Sequence, residues 1–352
     1  MKSVYIIGIV LLLCSSCTGS QESYSRYADF PELKNLVQLK EREADSVYLR
    51  YPYRIEIKDS LAVLLDLHPE DYFFHVFTYP DWQLVASFGK RGEGPEEILS
   101  AERVRICSSD SVWVLDSNRR QLTRWQICPS ERCVRRVEEI ALDSRLVRTL
   151  DFSKTETGFL VTDYTGDFRY HVLDSHGQIR NSIGSIPTER SISGGERGAL
   201  AQAWRSFMDY NPHNGVMAMV TQLGEVVEVM NLKTGEHQVC YGPGGEPKFQ
   251  VSKGYGIPVG IMGFVDVQVT DRAIYAIYQG VSFQQIAQSI QQEKFLPEGG
   301  RYLYVFTLTG APLLCYQLDH YVSGIHVDEK SSAMIAVDAN RDRPIVEFHL
   351  GE

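Results

Sequence analysis

What this chain lacks narrows the possibilities first. There is no His-Glu-x-x-His pair, no Gly-x-Ser-x-Gly elbow, no Walker loop and no acidic calcium loop of the required spacing. The catalytic and metal centres that announce themselves in short motifs are therefore excluded, and no cofactor is expected. Basic charge is in deficit. Lysine and arginine number 35 against 45 aspartates and glutamates, a net charge of -10, which does not suit a partner made of phosphates and excludes nucleic acid. The apolar run at residues 4–13 falls well short of the roughly 20 residues that a membrane-spanning helix needs. Cysteine is sparse: Cys14 and Cys17 sit near the start, and Cys107, Cys128, Cys133, Cys240 and Cys315 are scattered through the rest. No pair of these has zinc-site spacing with histidines nearby, and five thiols cannot all pair. Cys128 and Cys133 flank a hairpin tip where a local disulfide could form.

The start of the chain reads as an address. Lys2, the apolar run and the small residues Ser15 and Ser16 before Cys17 make a secretory leader. The Ser-Ser-Cys end resembles the lipobox of bacterial lipoproteins, although Cys14 stands where leucine is usual. That resemblance implies a diacylglycerol on Cys17 and a domain anchored to a bacterial membrane, the outer one, in the periplasm or at the cell surface. Ordinary cleavage to a soluble periplasmic product is the alternative. The organisation expected is a signal peptide with acylated Cys17 over 1–17, a flexible tether over 18–30 and one folded domain over 31–352.

From Val47 onward, short runs rich in Val, Ile, Tyr, Phe and Trp come in groups of four separated by Gly, Asp, Asn and Pro. Third-strand turns recur near residues 80, 130, 176, 234 and 310, the period of propeller blades. Six groups can be traced, and the last lacks its fourth strand. An all-β, six-bladed propeller is expected, closed when residues 36–39 or 46–49 supply the missing strand and protect an open sheet edge. Two packed sandwiches are the alternative, but they rarely keep this rhythm.

One stretch punctuates the repeat, Phe88-Gly-Lys-Arg-Gly-Glu-Gly-Pro-Glu-Glu97. Together with the leader and the imperfect blades it resembles the TolB-like six-bladed β-propeller lipoproteins of Gram-negative bacteria, whose first blade ends in Phe-Gly-x-x-Gly-x-Gly-Pro-Gly-Glu-Phe. Glu96 and Ile98 depart from that pattern. The resemblance implies the fold and the envelope location, and no activity.

In a propeller, the links between blades and those between second and third strands emerge on one face. Two insertions fall there, 185–214 and 279–301. Leu200, Ala203, Trp204 and Phe207 recur at helical spacing in the first, and Phe283, Ile286, Ala287 and Ile290 in the second, so two short helices are expected over one channel mouth, as a lid or as a plug. The same face gathers Arg91, Glu93, Arg148, Arg205, Tyr210, Lys253, Tyr255, His320 and Tyr321, a mixture of aromatic faces and hydrogen-bonding tips suited to a peptide or a glycan. The functional expectation is a lipid-anchored binding or scaffolding module for a peptide, glycan or envelope protein. The alternative is a metal-dependent, lactonase-like enzyme with Glu56, Asp151 and Asp266 as ligands in the channel. The Gly254-Tyr-Gly256 stretch has glycines like those of a nucleotide loop, but Pro258 and the lack of a following helix pattern make it a propeller loop.

Overall fold

The computed structural model describes residues 22–44 and 47–351, so the leader and the acylation site Cys17 lie outside the described residues. Six sheets surround an axial channel. Blade 1 is Pro52–Lys58, Leu61–Asp66, Tyr72–Thr78 and Leu84–Lys90; blade 2 is Ala101–Ser108, Ser111–Asp116, Gln121–Cys128 and Cys133–Ala141. Blade 3 is Phe152–Lys154, Gly158–Thr162, Tyr170–Asp174 and Ile179–Ile183, and blade 4 is Ser206–Asn211, Val216–Thr221, Val226–Asn231 and His237–Tyr241. Blade 5 is Ile261–Val269, Ala273–Ser282, Gly300–Thr307 and Pro312–Val322; blade 6 has Gly324–Asp328, Ala333–Val337 and Ile345–His349 from the C-terminal end of the chain.

Burial follows position in the blade. Second strands lie between neighbouring blades and are apolar and buried throughout, as in Leu61–Asp66 and Val216–Thr221. The outer strand Cys133–Ala141 is largely open to solvent. Between blades the core is aromatic: Phe88 stacks on Phe74 at 5.0 Å and meets Trp125 of blade 2 at 5.1 Å. The glycine-rich stretch that follows Phe88 closes on itself. Gly89 and Gly92 hold positive φ, the Gly94 amide donates to the Glu97 carboxylate, and a Cβ on Gly92 would lie 2.0 Å from that carboxylate. Its role is to seal the first blade against the second, with Ile98 buried beneath Gly89.

The N-terminal segment closes the ring, as expected, but over a longer path. Gln38–Arg42 pairs antiparallel with Ile345–His349 and completes blade 6, a shift of two or three residues from the expected 36–39. Before it, Leu33–Leu36 adds a fifth, parallel strand to blade 5, and Glu22–Arg26 adds one to blade 4. Residues 22–30, expected to be part of a flexible tether, are thus a strap. Their side chains on the strand are exposed, so amphipathic alternation could not reveal them. The strap is held by Tyr27, packed at 5.8 Å on Phe306 with its hydroxyl on the Glu225 carboxylate at 3.2 Å, and by Phe30 against Tyr304 at 4.4 Å. Burial pushes the Glu225 carboxyl up, against the donors Gly244, Tyr278 and Tyr27.

Two further expectations are corrected. Phe207 belongs to the inner strand of blade 4, not to the helix before it: α1 (Arg197–Ala203) ends where Ser206–Asn211 begins. The inner strand of blade 3, expected from the apolar run over 147–152, is confined to Phe152–Lys154, with residues 147–151 in an irregular link. Cys128 and Cys133 stand opposite each other at the end of their hairpin as free thiols.

The strap gives a direct test. Tyr27→Ala should lower the stability of the protein by about 3 kcal/mol in chemical denaturation, because a buried aromatic and a buried hydrogen bond are lost. Leu33→Ala, at an exposed strap position, should change it by less than about 0.5 kcal/mol.

Candidate functional site

Each inner strand presents alternate side chains to the axis. Arg54, Glu56 and Lys58 come from blade 1, Arg103 and Arg105 from blade 2, Asp209 and Asn211 from blade 4, Asp266, Gln268 and Thr270 from blade 5, and His326 and Asp328 from blade 6. Charges of opposite sign meet across the channel. Asp266 lies 2.8 Å from Arg103 and 3.4 Å from Arg54; Asp151 lies 3.5 Å from Arg103 and 3.6 Å from Arg105; Arg105 also reaches Glu56 at 3.0 Å and Asp209 at 2.9 Å. Arg54, Arg103, Asp151 and Asp266 are buried. The carboxylates also take backbone amides: Asp151 accepts from Met208, Asp209 from Val269 and Asp266 from Ile325.

The proton affinities follow the pairing. Burial opposes charge on Asp266, but Arg54 and Arg103 outweigh it and hold the carboxyl below its usual range. Glu56 goes the other way, because burial prevails over its arginine partners and raises it. Glu56, Asp151 and Asp266 are the carboxylates that a lactonase-like centre would use as metal ligands. Each is committed to a guanidinium, so a divalent cation would have to displace an arginine from a carboxylate that already bonds to it. The donor set does not fit such a metal.

The network seals the middle of the channel and leaves two mouths. The lower mouth, on the face of the first-to-second and third-to-fourth strand links, is a cavity of about 680 Å³, the size of a small-molecule or short-oligomer site. Tyr79, Tyr210, His213, Gln268, Arg272 and Lys58 line it with rings, donors and acceptors. Several lining residues bond to one another along the wall: Asn211 and His213 meet Asp271 at 2.9 and 3.3 Å, and Gln268 makes a two-way bond with the Val327 backbone at 2.6 and 3.1 Å. His326 backs the cavity, its Nδ1 accepting the Ile57 amide at 3.3 Å and so tying blade 6 to blade 1.

The residues singled out from sequence fare unequally. Arg148, on the link from blade 2 to blade 3, and Arg205, at the entry to the inner strand of blade 4, both lie at the upper mouth. Tyr210 is moved to the lower mouth, because it sits at the far end of an inner strand that runs down the channel. His320 is buried between blades, 2.9 Å from Asp338 and 3.4 Å from Glu41 of the closing strand, and serves as a structural tie. Tyr321 lies half-buried under the Arg301 guanidinium at 5.7 Å. Lys253 and Tyr255 form the tip of a separate hairpin, Phe249–Ser252 with Tyr255–Pro258. Arg91 and Glu93 are exposed on the rim beside the sealed glycine loop, where the Glu93 carbonyl accepts from Arg119 at 2.8 Å.

Of the two readings of the helices, a lid or a plug that contributes core, α1 follows the second. α1 spends its apolar side on core, with Ala199, Leu200 and Trp204 packed on Val226, Val239 and Tyr241 of blade 4. α2 (Phe283–Gln291) is capped by Ser282 and Gln285 but buries none of its residues. The lower-mouth residues Tyr79, Gln268 and His326 were missed in the sequence. For Gln268 and His326 the signal was the alternation of polar and apolar positions at the ends of inner runs; Tyr79 stands in the turn after a third strand.

Two expectations follow from the network. Asp266→Ala should destabilise the protein by about 3–5 kcal/mol in denaturant melts, since it strands buried arginine charge. Burial also pushes the imidazoles of His75 and His326 down to about 4. Between the unfolded value of about 6.5 and that value, only the unfolded chain takes up these protons. Stability is therefore full above this window and falls as pH drops through it. Melts from pH 7 to 4 should show that decline, and His326→Gln should flatten it.

The comparisons agree with this architecture. A solved putative exported protein from Bacteroides fragilis is similar over 93% of this chain and 97% of its own, with 11% identity and a TM-score of 0.53. The solved structure of U3-55K is similar over 87% of this chain and 97% of its own, with 8% identity and a TM-score of 0.51. The RRP9 WD40 repeats give 88% and 98%, 8% identity and a TM-score of 0.51. At such identities the likeness is one of fold. No curated protein matches the sequence. The model of the family described as TolB-like 6-blade propeller-like matches residues 29–330, and with six blades around a sealed channel the chain belongs to that family.

Proposed function

We propose that this chain is a binding module of the bacterial cell envelope, anchored through lipid on Cys17, which holds a peptide or glycan segment in the lower-mouth cavity. The observation that carries the reading is that cavity: about 680 Å³ of open concavity, walled by tyrosine rings and by polar groups hydrogen-bonded to one another along the wall, and ending on a channel filled by paired charges. Rings such as those of Tyr79 and Tyr210 give flat apolar area with a polar edge, which suits sugar faces and peptide backbones. The secretory leader and the exported character of one structural relative support the location. The committed channel carboxylates favour binding over metal-dependent hydrolysis.

Glycan and peptide arrays probed with the purified full chain test this reading. Tyr210→Ala and Gln268→Ala should each weaken the captured ligand by about tenfold or more, while Tyr255→Ala on the distant hairpin should not. Ligand capture indifferent to both cavity substitutions, or turnover accompanied by stoichiometric metal, would overturn it. Cys17→Ser should move the chain from the membrane fraction to the soluble one.

A further inference from the structure

The upper mouth presents a different problem, an arginine with nothing to pair with. The fully buried guanidinium groups, Arg54, Arg103, Arg105 and Arg169, all meet carboxylates, Arg169 reaching Glu228 at 2.6 Å, and the half-buried Arg301 meets the Leu318 carbonyl at 3.0 Å. Arg205 does not. It is half-buried where the chain enters the inner strand of blade 4, its Nε is enclosed without an acceptor, and no carboxylate lies within ion-pair distance among the described residues. A guanidinium cannot escape by losing its proton, so an enclosed one needs a partner.

The groups around it are donors. Arg148, exposed on the link from blade 2 to blade 3, adds a second positive charge, and Tyr53 lies within electrostatic reach. Tyr164 comes from the second-to-third strand link of blade 3 and is only 9% exposed. Its hydroxyl has the Thr162 hydroxyl beside it, and neither oxygen completes a well-aligned hydrogen bond. The acids in this neighbourhood are already engaged: Glu102 accepts from Ser100 at 3.0 Å and Ser117 at 3.1 Å and forms no ion pair with Arg148, and Asp151, below Tyr164, is held by Arg103 and Arg105 and takes the Met208 amide. Two positive charges and a buried phenol therefore stand at this mouth with carboxylates that are already occupied.

We propose that the upper mouth is a second binding site, for an oxyanion group of a ligand, seated between Arg205, Arg148 and the Tyr164 hydroxyl. Guanidinium forks match carboxylate and phosphate oxygens, and the phenol supplies a third donor from a fixed direction. The site is separated from the lower cavity by the sealed channel and stands independently of what that cavity holds.

Titration calorimetry of the full chain at low, constant ionic strength, with inorganic phosphate and with succinate as probes, tests the proposal. At least one probe should bind in the millimolar range, and the stronger of the two identifies the group recognised. Arg205→Gln and Arg148→Gln should each weaken it by about tenfold, and Glu102→Gln should tighten it by about twofold to threefold. Arg180→Gln, which removes an exposed arginine already paired with Asp174, should leave it unchanged. No binding of either anion, retention of binding in Arg148→Gln, or equal loss in Arg180→Gln would each overturn the site. Should Arg205→Gln fail to fold, the exposed Arg148 substitution decides alone.

Discussion

Everything in this propeller depends on how the inner edge of each blade is satisfied. An inner strand has a sheet neighbour on one side only, so amides on the other side face the channel without ladder partners. Here the next inner strand answers with side chains. Asp151 takes the Met208 amide, Asp209 takes Val269, Asp266 takes Ile325, Gln268 takes Val327 and His326 takes Ile57. Carboxylates placed for this purpose must then be neutralised out of water, and Arg54, Arg103 and Arg105 do so. The ring is thus stitched twice, by the N-terminal strap at its rim and by a charged lattice at its axis. Buried pairs of this kind add little net stability compared with apolar packing, but they penalise any arrangement that separates them. That is what a ring of six similar blades requires if each is to sit beside its proper neighbour.

The same lattice decides where function can reside. Among the described residues the acids at the channel centre are paired with Arg54, Arg103 and Arg105. The two mouths therefore become separate environments. The lower one is a concavity of mixed charge with rings on its wall; the upper one is rich in donors and short of acceptors. Arg205 makes no ion pair among the described residues in a molecule that pairs each of its fully buried arginines with a carboxylate, and this contrast within one chain gives the asymmetry its meaning.

The fold was largely legible in the sequence, because second strands such as Leu61–Asp66 are buried on both faces and turns recur at blade intervals. The closing strand was legible as a deficit in the last blade. Its exact register was not, since Gln38–Arg42 carries polar side chains whose contribution is made by the backbone. The strap at Glu22–Arg26 escaped for the same reason. At the site, Glu56, Asp151 and Asp266 could be picked out as channel acids from their place in inner runs. Their arginine partners stood in the same runs, at Arg54, Arg103 and Arg105, but pairing across blades is a long-range fact that alternation does not encode. Phe207 shows the complementary error: its spacing from Trp204 and Leu200 fits a helix, and only the need for an inner strand in blade 4 makes it a strand residue. His320 looked available because it lies near a loop, yet Asp338 and Glu41 take both ring nitrogens.

The strap also constrains how the domain meets a membrane. Glu22 pairs beside His237 and Arg26 beside Tyr241, so the strap enters at the lower edge of blade 4 and runs upward. Four residues lie between Cys17 and Glu22, five residue spacings with a reach of at most about 18 Å. With lipid on Cys17 as proposed, the lower edge of blade 4 is held within that distance of the bilayer, much closer than a tether extending to residue 30 would hold it. A folded partner has little room to approach a mouth on that side. A thin, extended chain does, and this geometry is the reason to look first among peptides and glycan strands for the occupant of the lower cavity.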